Sequence, residues 1–196
     1  MKKMTYTYPK SSFLSVEKDM DIIVNMILKN DRLKKLLYYT TKDCLDRPNL
    51  TEDESLELFE ENIKWVPRII LGDGPEAKNY LMINFDNFSP NFSNPEFRDN
   101  ILEFDIMCPY ELWNLGDFSL RPFKIAAELD TIFNHQRLTG IGQLEFLSAS
   151  KVVENTYGGL CLRFLAIHGE EDKKYPLNPS DNEDIVDNFD RIFNDE

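Results

Sequence analysis

The strongest constraint on the fold is a change of hydrophobic period between Asn100 and His168. Residues 100–108 alternate, which predicts a strand whose apolar face consists of Leu102, Phe104, Ile106 and Cys108. Pro122–Phe133 carries its apolar residues at helical spacing, which predicts an amphipathic helix. Two strand-like runs follow at residues 144–153 and 156–167, with a short turn between them. The order strand, helix, strand, strand indicates a domain that combines helices with a sheet.

Helix signals dominate the first third of the chain. Ser15 is a good N-cap for a first helix, and Asn30 for a second with Leu33, Leu36 and Leu37 facing inward. Thr51 and Glu54 form a capping box for a third helix, with an expected apolar side of Leu56, Phe59 and Ile63. Further strands are predicted at residues 68–71 and 80–85. The predicted fold class is α+β: a mostly antiparallel sheet of about four to five strands flanked by helices.

Two arms are predicted on either side of a single domain at residues 15–168. Residues 1–14 form an N-terminal arm with Tyr6, Tyr8 and Phe13 as possible anchors. Residues 169–196 hold ten acidic and three basic residues. Their net charge of -7 is more than half of the chain's net charge of -13. This acidic C-terminal arm also contains a capping box and an apolar stripe at helical spacing: Ile185, Phe189, Ile192 and Phe193.

Two polar loops, residues 86–100 and 109–120, are predicted to project from the domain. The second contains two large exposed-looking aromatic residues, Trp113 and Phe118. Such a tryptophan is typical of a loop anchor or of a protein–protein contact. The predicted interface comprises the sheet edges, both loops and the stripe of the C-terminal arm: Trp113, Phe118, Ile185, Phe189, Ile192 and Phe193.

Composition excludes several classes of protein. A net charge of -13 disfavours general binding to a phosphate backbone. The chain has neither a signal-peptide pattern nor an apolar run long enough for a membrane helix. Cys44, Cys108 and Cys161 are odd in number and widely spaced, which predicts structural thiols and synthesis in a reducing cytoplasm.

The sequence contains few residue patterns that are typical of a catalytic or metal-binding site. His135 follows a predicted helix and is expected to play a helix-end role, and no nucleophile motif accompanies it or His168. Glu103 and Asp105 share one face of a strand and could bridge a divalent cation, which keeps a metal-dependent hydrolase open as an alternative. The solvated face of a half-exposed strand is the preferred interpretation. No catalytic, cofactor-binding or metal-binding residue is therefore predicted, and the protein is not expected to be an enzyme.

The order of elements resembles the tail terminator and tail completion proteins of long-tailed bacteriophages. The segments that carry the resemblance are Phe104–Cys108, Ile125–Leu129 and Leu138–Gly142, and it extends over about residues 52–168. The two additional N-terminal helices and the acidic tail depart from the small members of that group.

The resemblance implies a structural virion protein at the neck or tail end, made in the host cytoplasm. It would form a homo-oligomeric ring, usually a hexamer, that ends the tail tube and joins it to the head. Tail-tube and neck or connector proteins would be its partners, and DNA would pass through the channel without specific binding. An alternative is an acidic adaptor or inhibitor outside the virion, a DNA mimic that binds a protein partner.

Overall fold

A computed structural model describes residues 13–66, 77–90, 98–116, 118–138 and 142–168 of the chain. Its helices, numbered α1 to α4, are Phe13–Leu28, Asp31–Tyr38, Glu52–Glu61 and Arg121–Phe133. Its strands, numbered β1 to β5, are Ile63–Lys64, Tyr80–Pro90, Arg98–Pro109, Glu145–Glu154 and Tyr157–His168. Short 3-10 turns lie at Cys44–Asp46 and Tyr110–Leu112.

The five strands form one mostly antiparallel sheet in the order β1-β2-β3-β5-β4. The pairs β2–β3, β3–β5 and β5–β4 are antiparallel, and only the two-residue β1 pairs parallel to β2. β3 and β5 occupy the centre and pair along their full lengths, from Arg98 opposite His168 to Pro109 opposite Tyr157. The predicted α+β class and its five-stranded, mostly antiparallel sheet are confirmed.

One face of the sheet carries the main core. Leu102, Phe104, Ile106 and Cys108 of β3 are all fully buried on this face, as their alternation predicted. Phe104 stacks on Phe133 of α4 with 4.8 Å between ring centroids, and it meets Phe164 of β5 edge to face at 5.9 Å. The predicted stripe of α4 therefore lies against the two central strands, where aromatic contact adds to the burial of apolar area.

A buried arginine joins α4 to the preceding helices. Arg121 begins α4, is fully buried, and donates hydrogen bonds to four backbone carbonyls. Its Nη1 donates to the carbonyls of Leu36 and Tyr39, and its Nη2 to that of Thr41, each at 2.7 Å. Nε donates to the carbonyl of Leu112 at 2.9 Å. One side chain thus satisfies carbonyls at the end of α2 and in the segment before α4.

Two buried asparagines attach the start of β2 to the same helix. Asn79 Nδ2 donates to the carbonyls of Leu36 and Leu37, at 3.3 and 3.2 Å. Asn62, which caps α3, donates to the carbonyl of Asn79 at 2.8 Å. These bonds hold the α3–β1 connection against both α2 and β2.

Within the described residues, the opposite face of the sheet has one small apolar cluster at one end, formed by Ala77, Tyr80, Met82, Met107 and Tyr157. Gly159 of β5 lies in this area and pairs with Met107. A Cβ atom at Gly159 would collide with the backbone carbonyl of Ile106, so a side chain cannot be accommodated there without moving β3. None of the described helices packs on the rest of this face, which is called the open face below.

The N-terminal part differs from the sequence prediction in two ways. α1 begins at Phe13, so Ser15 lies inside the helix, and the last two residues of the predicted arm belong to α1; residues 1–12 lie outside the described residues. The buried residue of α3 is Leu58, whereas Leu56 is 39% exposed. α3 ends at Glu61, so Ile63 belongs to β1, and the helix turns the side that contains Leu58 towards the core.

The loop predicted at residues 86–100 is wrong at both ends, and residues 91–97 lie outside the described residues. Residues 86–90 and 98–100 lie in β2 and β3, because half-exposed hairpin strands can carry polar side chains while their backbones pair. A register shift between Asp86 and Ser89, with Asn87 at a φ of 56°, marks an irregularity in this part of the hairpin. The strand predicted at residues 68–71 lies outside the described residues. Within the described residues, no helix is both long and apolar enough to span a membrane.

Candidate interaction surfaces

The strand β4 forms one edge of the sheet and is unusually exposed. Among the described strands it pairs with β5 alone, and eight of its ten residues are exposed. Its large apolar residues are Phe146, Leu147 and Val153, which are 43%, 47% and 55% exposed. Helix α4 packs on β3 and β5 and leaves these side chains uncovered. An apolar sheet edge of this length is a template for pairing with another chain.

The opposite edge of the sheet is better protected against such pairing. β1 covers Leu81 and Met82 of β2. Beyond them, the irregularity at Asp86–Ser89 and the proline at residue 90 interrupt the edge of β2. In β4, by contrast, Ser148–Glu154 pairs in regular register after a single shift between Phe146 and Ser148. Only Lys151 places a charge in the middle of this regular segment.

A second candidate surface lies at Phe118, in the loop before α4. Phe118 is fully exposed and has a φ of 61°, in the left-handed region that bulky residues rarely adopt. The loop is closed by the bridge between Asn114 and Leu120 and by the bond from Leu115 N–H to the Ser119 carbonyl at 3.0 Å. Phe123, in the first turn of α4, is also exposed at 55%. Backbone strain together with an exposed aromatic ring is typical of a binding surface.

The other predicted interface residue in this loop, Trp113, is partly buried and anchors the loop. Its Nε1–H donates to the carbonyl of Cys108 at 3.1 Å. Its ring lies 5.5 Å from that of Tyr110, and both rings pack close to Gly158 of β5. This is the anchoring role that the sequence left open for Trp113, and a role in an interface remains a prediction. Ile185, Phe189, Ile192 and Phe193 of the C-terminal arm lie outside the described residues, so their part in an interface also remains a prediction.

The two carboxylates considered as a metal site do share the open face of β3, next to each other. Glu103 accepts a hydrogen bond from Nε of Arg163 at 2.5 Å, across the β3–β5 pair. Asp105 lies opposite Cys161 on the same face. Among the described residues, no group of three or more histidine, cysteine, aspartate or glutamate side chains could hold a metal ion. A cross-strand ion pair is the role that the geometry gives Glu103.

The three thiols are buried, as predicted, and are held in their neutral form. Burial raises the pKa of the Cys108 thiol to about 12. Burial also raises that of Cys161 to about 12, and its hydrogen bond to the Asp105 carboxylate adds to the effect. At Cys44, burial outweighs the nearby Arg121 guanidinium, and the pKa is raised as well. Thiols with raised pKa values are weak nucleophiles at neutral pH.

His135 follows the end of α4, as the sequence predicted. It is exposed and has a φ of 61°, and its backbone N–H donates to the carbonyl of Leu144 at 2.9 Å. A ring nitrogen lies 3.2 Å from Nε2 of Gln143. The residue thus takes part in the connection from α4 to β4. His168 ends β5, opposite Arg98.

The acidic helix α3 is relevant to the DNA-mimic alternative. Several of its carboxylates have structural roles: Glu54 completes the capping box with Thr51, Glu57 accepts a bond from the Tyr38 hydroxyl, and Glu61 pairs with Lys78. These contacts are on a single ten-residue helix. They give part of the chain's acidity a local structural role, whereas a mimic of duplex DNA needs two long rows of carboxylates on one rigid face.

Comparison with known proteins gives a family. The model of the YomW family matches residues 30–166, from the N-cap of α2 to Ala166 near the end of β5. This is well over half of the chain, which therefore belongs to the YomW family. A search of the curated proteins found no match.

Proposed function

We propose that this member of the YomW family is a structural virion protein that forms a ring at the neck or tail end of a tailed bacteriophage. The ring is a homo-oligomer, with six copies as the expected number. It ends the tail tube and joins it to the head through tail-tube and neck or connector proteins. The resemblance of the sequence pattern and the surfaces described above support this function.

The observation that carries the assembly part of the proposal is the exposed edge strand β4. Phe146, Leu147 and Val153 together expose apolar area along an edge whose backbone has no partner strand among the described residues. Monomeric proteins usually protect such edges with prolines, charges or covering elements. In the middle of β4, the features that would hinder pairing with another strand are limited to the charge of Lys151 and the register shift near Leu147. The strand thus has the properties of a contact site for another chain.

The charged side chains that could have taken part in catalysis or metal binding support the same proposal, because each of them has a structural role. Glu103 pairs with Arg163, Asp105 accepts from Cys161, and Arg121 binds four carbonyls. These arrangements stabilise a sheet and its helix layer. They favour a protein that works through its surfaces over one that works through a reacting group.

The net charge of -13 supports passage of DNA through the channel without retention. Acidic walls repel phosphates over a screening length of about 8 Å at physiological salt. Such a channel lets DNA move while the contacts between subunits hold the ring. Specific DNA recognition plays no part in the proposed function.

Negative-stain imaging of the purified full-length protein, combined with native mass spectrometry, tests the proposal. We expect rings with a central hole and a mass that is a whole multiple of the 23.0 kDa chain. A single-chain mass at every protein concentration, with no rings in the images, would contradict it. A stable dimer without a hole would also exclude a ring and would favour the adaptor alternative.

A further inference from the structure

The two faces of β4 differ in their side chains, so a strand that pairs with its outer edge would need different residues on each face. By register, Ala149, Lys151 and Val153 lie on the side of the sheet that carries the helices. Ser150, Val152 and Glu154 lie on the open face, opposite Cys161, Gly159 and Tyr157. A complementary strand would have larger apolar residues on the helix side and small polar residues on the open face.

The chain itself contains a segment with this pattern, before α1 and outside the described residues. Residues 3–8 read Lys-Met-Thr-Tyr-Thr-Tyr, with Met4, Tyr6 and Tyr8 on one side of an extended chain. Lys3, Thr5 and Thr7 would lie on the other side. Threonine and tyrosine favour strands, and Pro9 would end the pairing. The segment thus has the alternation and the length that β4 requires.

We propose that Lys3–Tyr8 of a neighbouring copy pairs antiparallel with the outer edge of β4. One register satisfies both faces at once. On the open face, Lys3, Thr5 and Thr7 come opposite Glu154, Val152 and Ser150. On the helix side, Met4, Tyr6 and Tyr8 come opposite Val153, Lys151 and Ala149. The apolar members of the added strand thereby extend the surface that Phe146 and Val153 expose.

Charge favours this occupant over an arbitrary strand. Residues 1–12 contain Lys2, Lys3 and Lys10 and no acidic residue, whereas the whole chain carries a net charge of -13. A basic segment is attracted to an acidic body. In the proposed register, opposite charges also meet directly, because Lys3 comes beside Glu154. Cross-strand pairs of opposite charge stabilise an antiparallel pair.

Donation to a neighbouring copy rests on the proposed function and specifies how the ring is joined. The donor segment and the acceptor strand are different parts of the chain, so the contact is heterologous. Heterologous contacts generate a ring when the rotation between copies closes. Each copy would give its N-terminal segment to one neighbour and receive a segment on β4 from the other.

A cysteine pair placed in the full-length chain tests the register. Thr7→Cys with Ser150→Cys puts two thiols opposite each other on the open face, at a cross-strand separation of about 4.5–5.5 Å between Cβ atoms. Thr7→Cys with Ala149→Cys is the matched control, because Ala149 is also small and exposed but lies on the helix side. Both pairs are placed in a Cys161→Ala background, because Cys161 lies opposite Ser150 on the same face and would compete for the new thiol. Cys44 and Cys108 are buried. Circular dichroism would confirm that both variants are folded.

After mild oxidation, we expect the Thr7–Ser150 pair to link chains at least tenfold more efficiently than the control, on a non-reducing gel with the bridge identified by mass spectrometry. An oligomer whose two variants link equally or not at all would overturn the pairing while leaving the ring intact. A bridge within one chain would overturn donation to a neighbour. A protein that neither links nor assembles would contradict both this inference and the proposed function.

Discussion

At the scale of single residues, buried polar side chains connect the elements of this domain through hydrogen bonds to backbone carbonyls. Arg121 is buried without a carboxylate partner among the described residues and spreads its charge over four backbone carbonyls. Asn79 performs a related task for the carbonyls of Leu36 and Leu37. Buried carbonyls that lose such donors retain their full desolvation cost. The hydrogen bonds of Arg121 and Asn79 therefore contribute to the stability of the packing between the helices and the sheet.

Replacing Arg121 tests this role. Arg121→Met keeps an apolar stem but leaves four carbonyls without their donor, and we expect the free energy of unfolding to fall by about 3 kcal/mol or more. Chemical denaturation followed by circular dichroism measures the change. Arg137→Met is a matched control at an exposed position and should stay within about 0.5 kcal/mol of the parent. Equal denaturation midpoints for the two variants would show that the hydrogen bonds of Arg121 contribute little.

The buried thiols give a prediction that depends on pH. With a pKa of about 12 for Cys108 and Cys161, against 9.0 for a free thiol, the reactive thiolate at pH 8 is about a thousandfold scarcer in the folded protein. We expect a thiol reagent at pH 8 to modify these residues only after denaturant is added. Because the folded pKa is raised, the stabilisation is complete below pH 9 and is lost as the pH rises towards 12.

Reagent titration with and without denaturant, followed by peptide mass mapping, measures this difference. The unfolded chain is the internal control, since it exposes all three cysteines of the sequence to the same reagent. Rapid labelling of Cys108 in the native protein would contradict the burial that raises its pKa.

At the scale of elements, the two edges of the sheet behave differently. β2 is shielded by β1 and interrupted by an irregularity and a proline, whereas β4 is long and mostly regular and exposes Phe146, Leu147 and Val153. The loop before α4 adds a strained, fully exposed Phe118. Edge strands and exposed aromatic residues are where proteins with this architecture can contact further chains. Assembly should therefore respond to changes on β4 more than to changes on other exposed apolar residues.

Leu147→Lys tests this expectation for β4. A charge at this half-exposed position should disfavour pairing of another strand and raise the concentration needed for half-maximal assembly by at least tenfold. Leu56→Lys on α3 is a matched control, because Leu56 is similarly exposed at 39% against 47% for Leu147. Light scattering across a concentration series compares the two variants. An equal effect of both would argue against β4 as the contact.

At the scale of the whole molecule, the described helices all lie on one side of the sheet. This side holds the main core, while the described part of the open face carries the Glu103–Arg163 pair and a small apolar cluster. A body with one covered face, one open face and an uncovered edge can extend its sheet through a neighbour without losing its own core. The strong negative charge limits nonspecific association between such bodies, so specific contacts must supply the attraction.

The sequence by itself determined the elements whose hydrophobic period is unambiguous. The alternation of β3, the stripe of α4 and the capping box at Thr51 all correspond to the structure because local periodicity and capping depend on near neighbours. The tertiary structure alone decided that β4 is an edge, that Leu58 and not Leu56 is buried, and that residues 86–90 continue a strand. Burial, edge position and the pairing of polar strands depend on which distant segments lie alongside, and a local pattern does not contain that information.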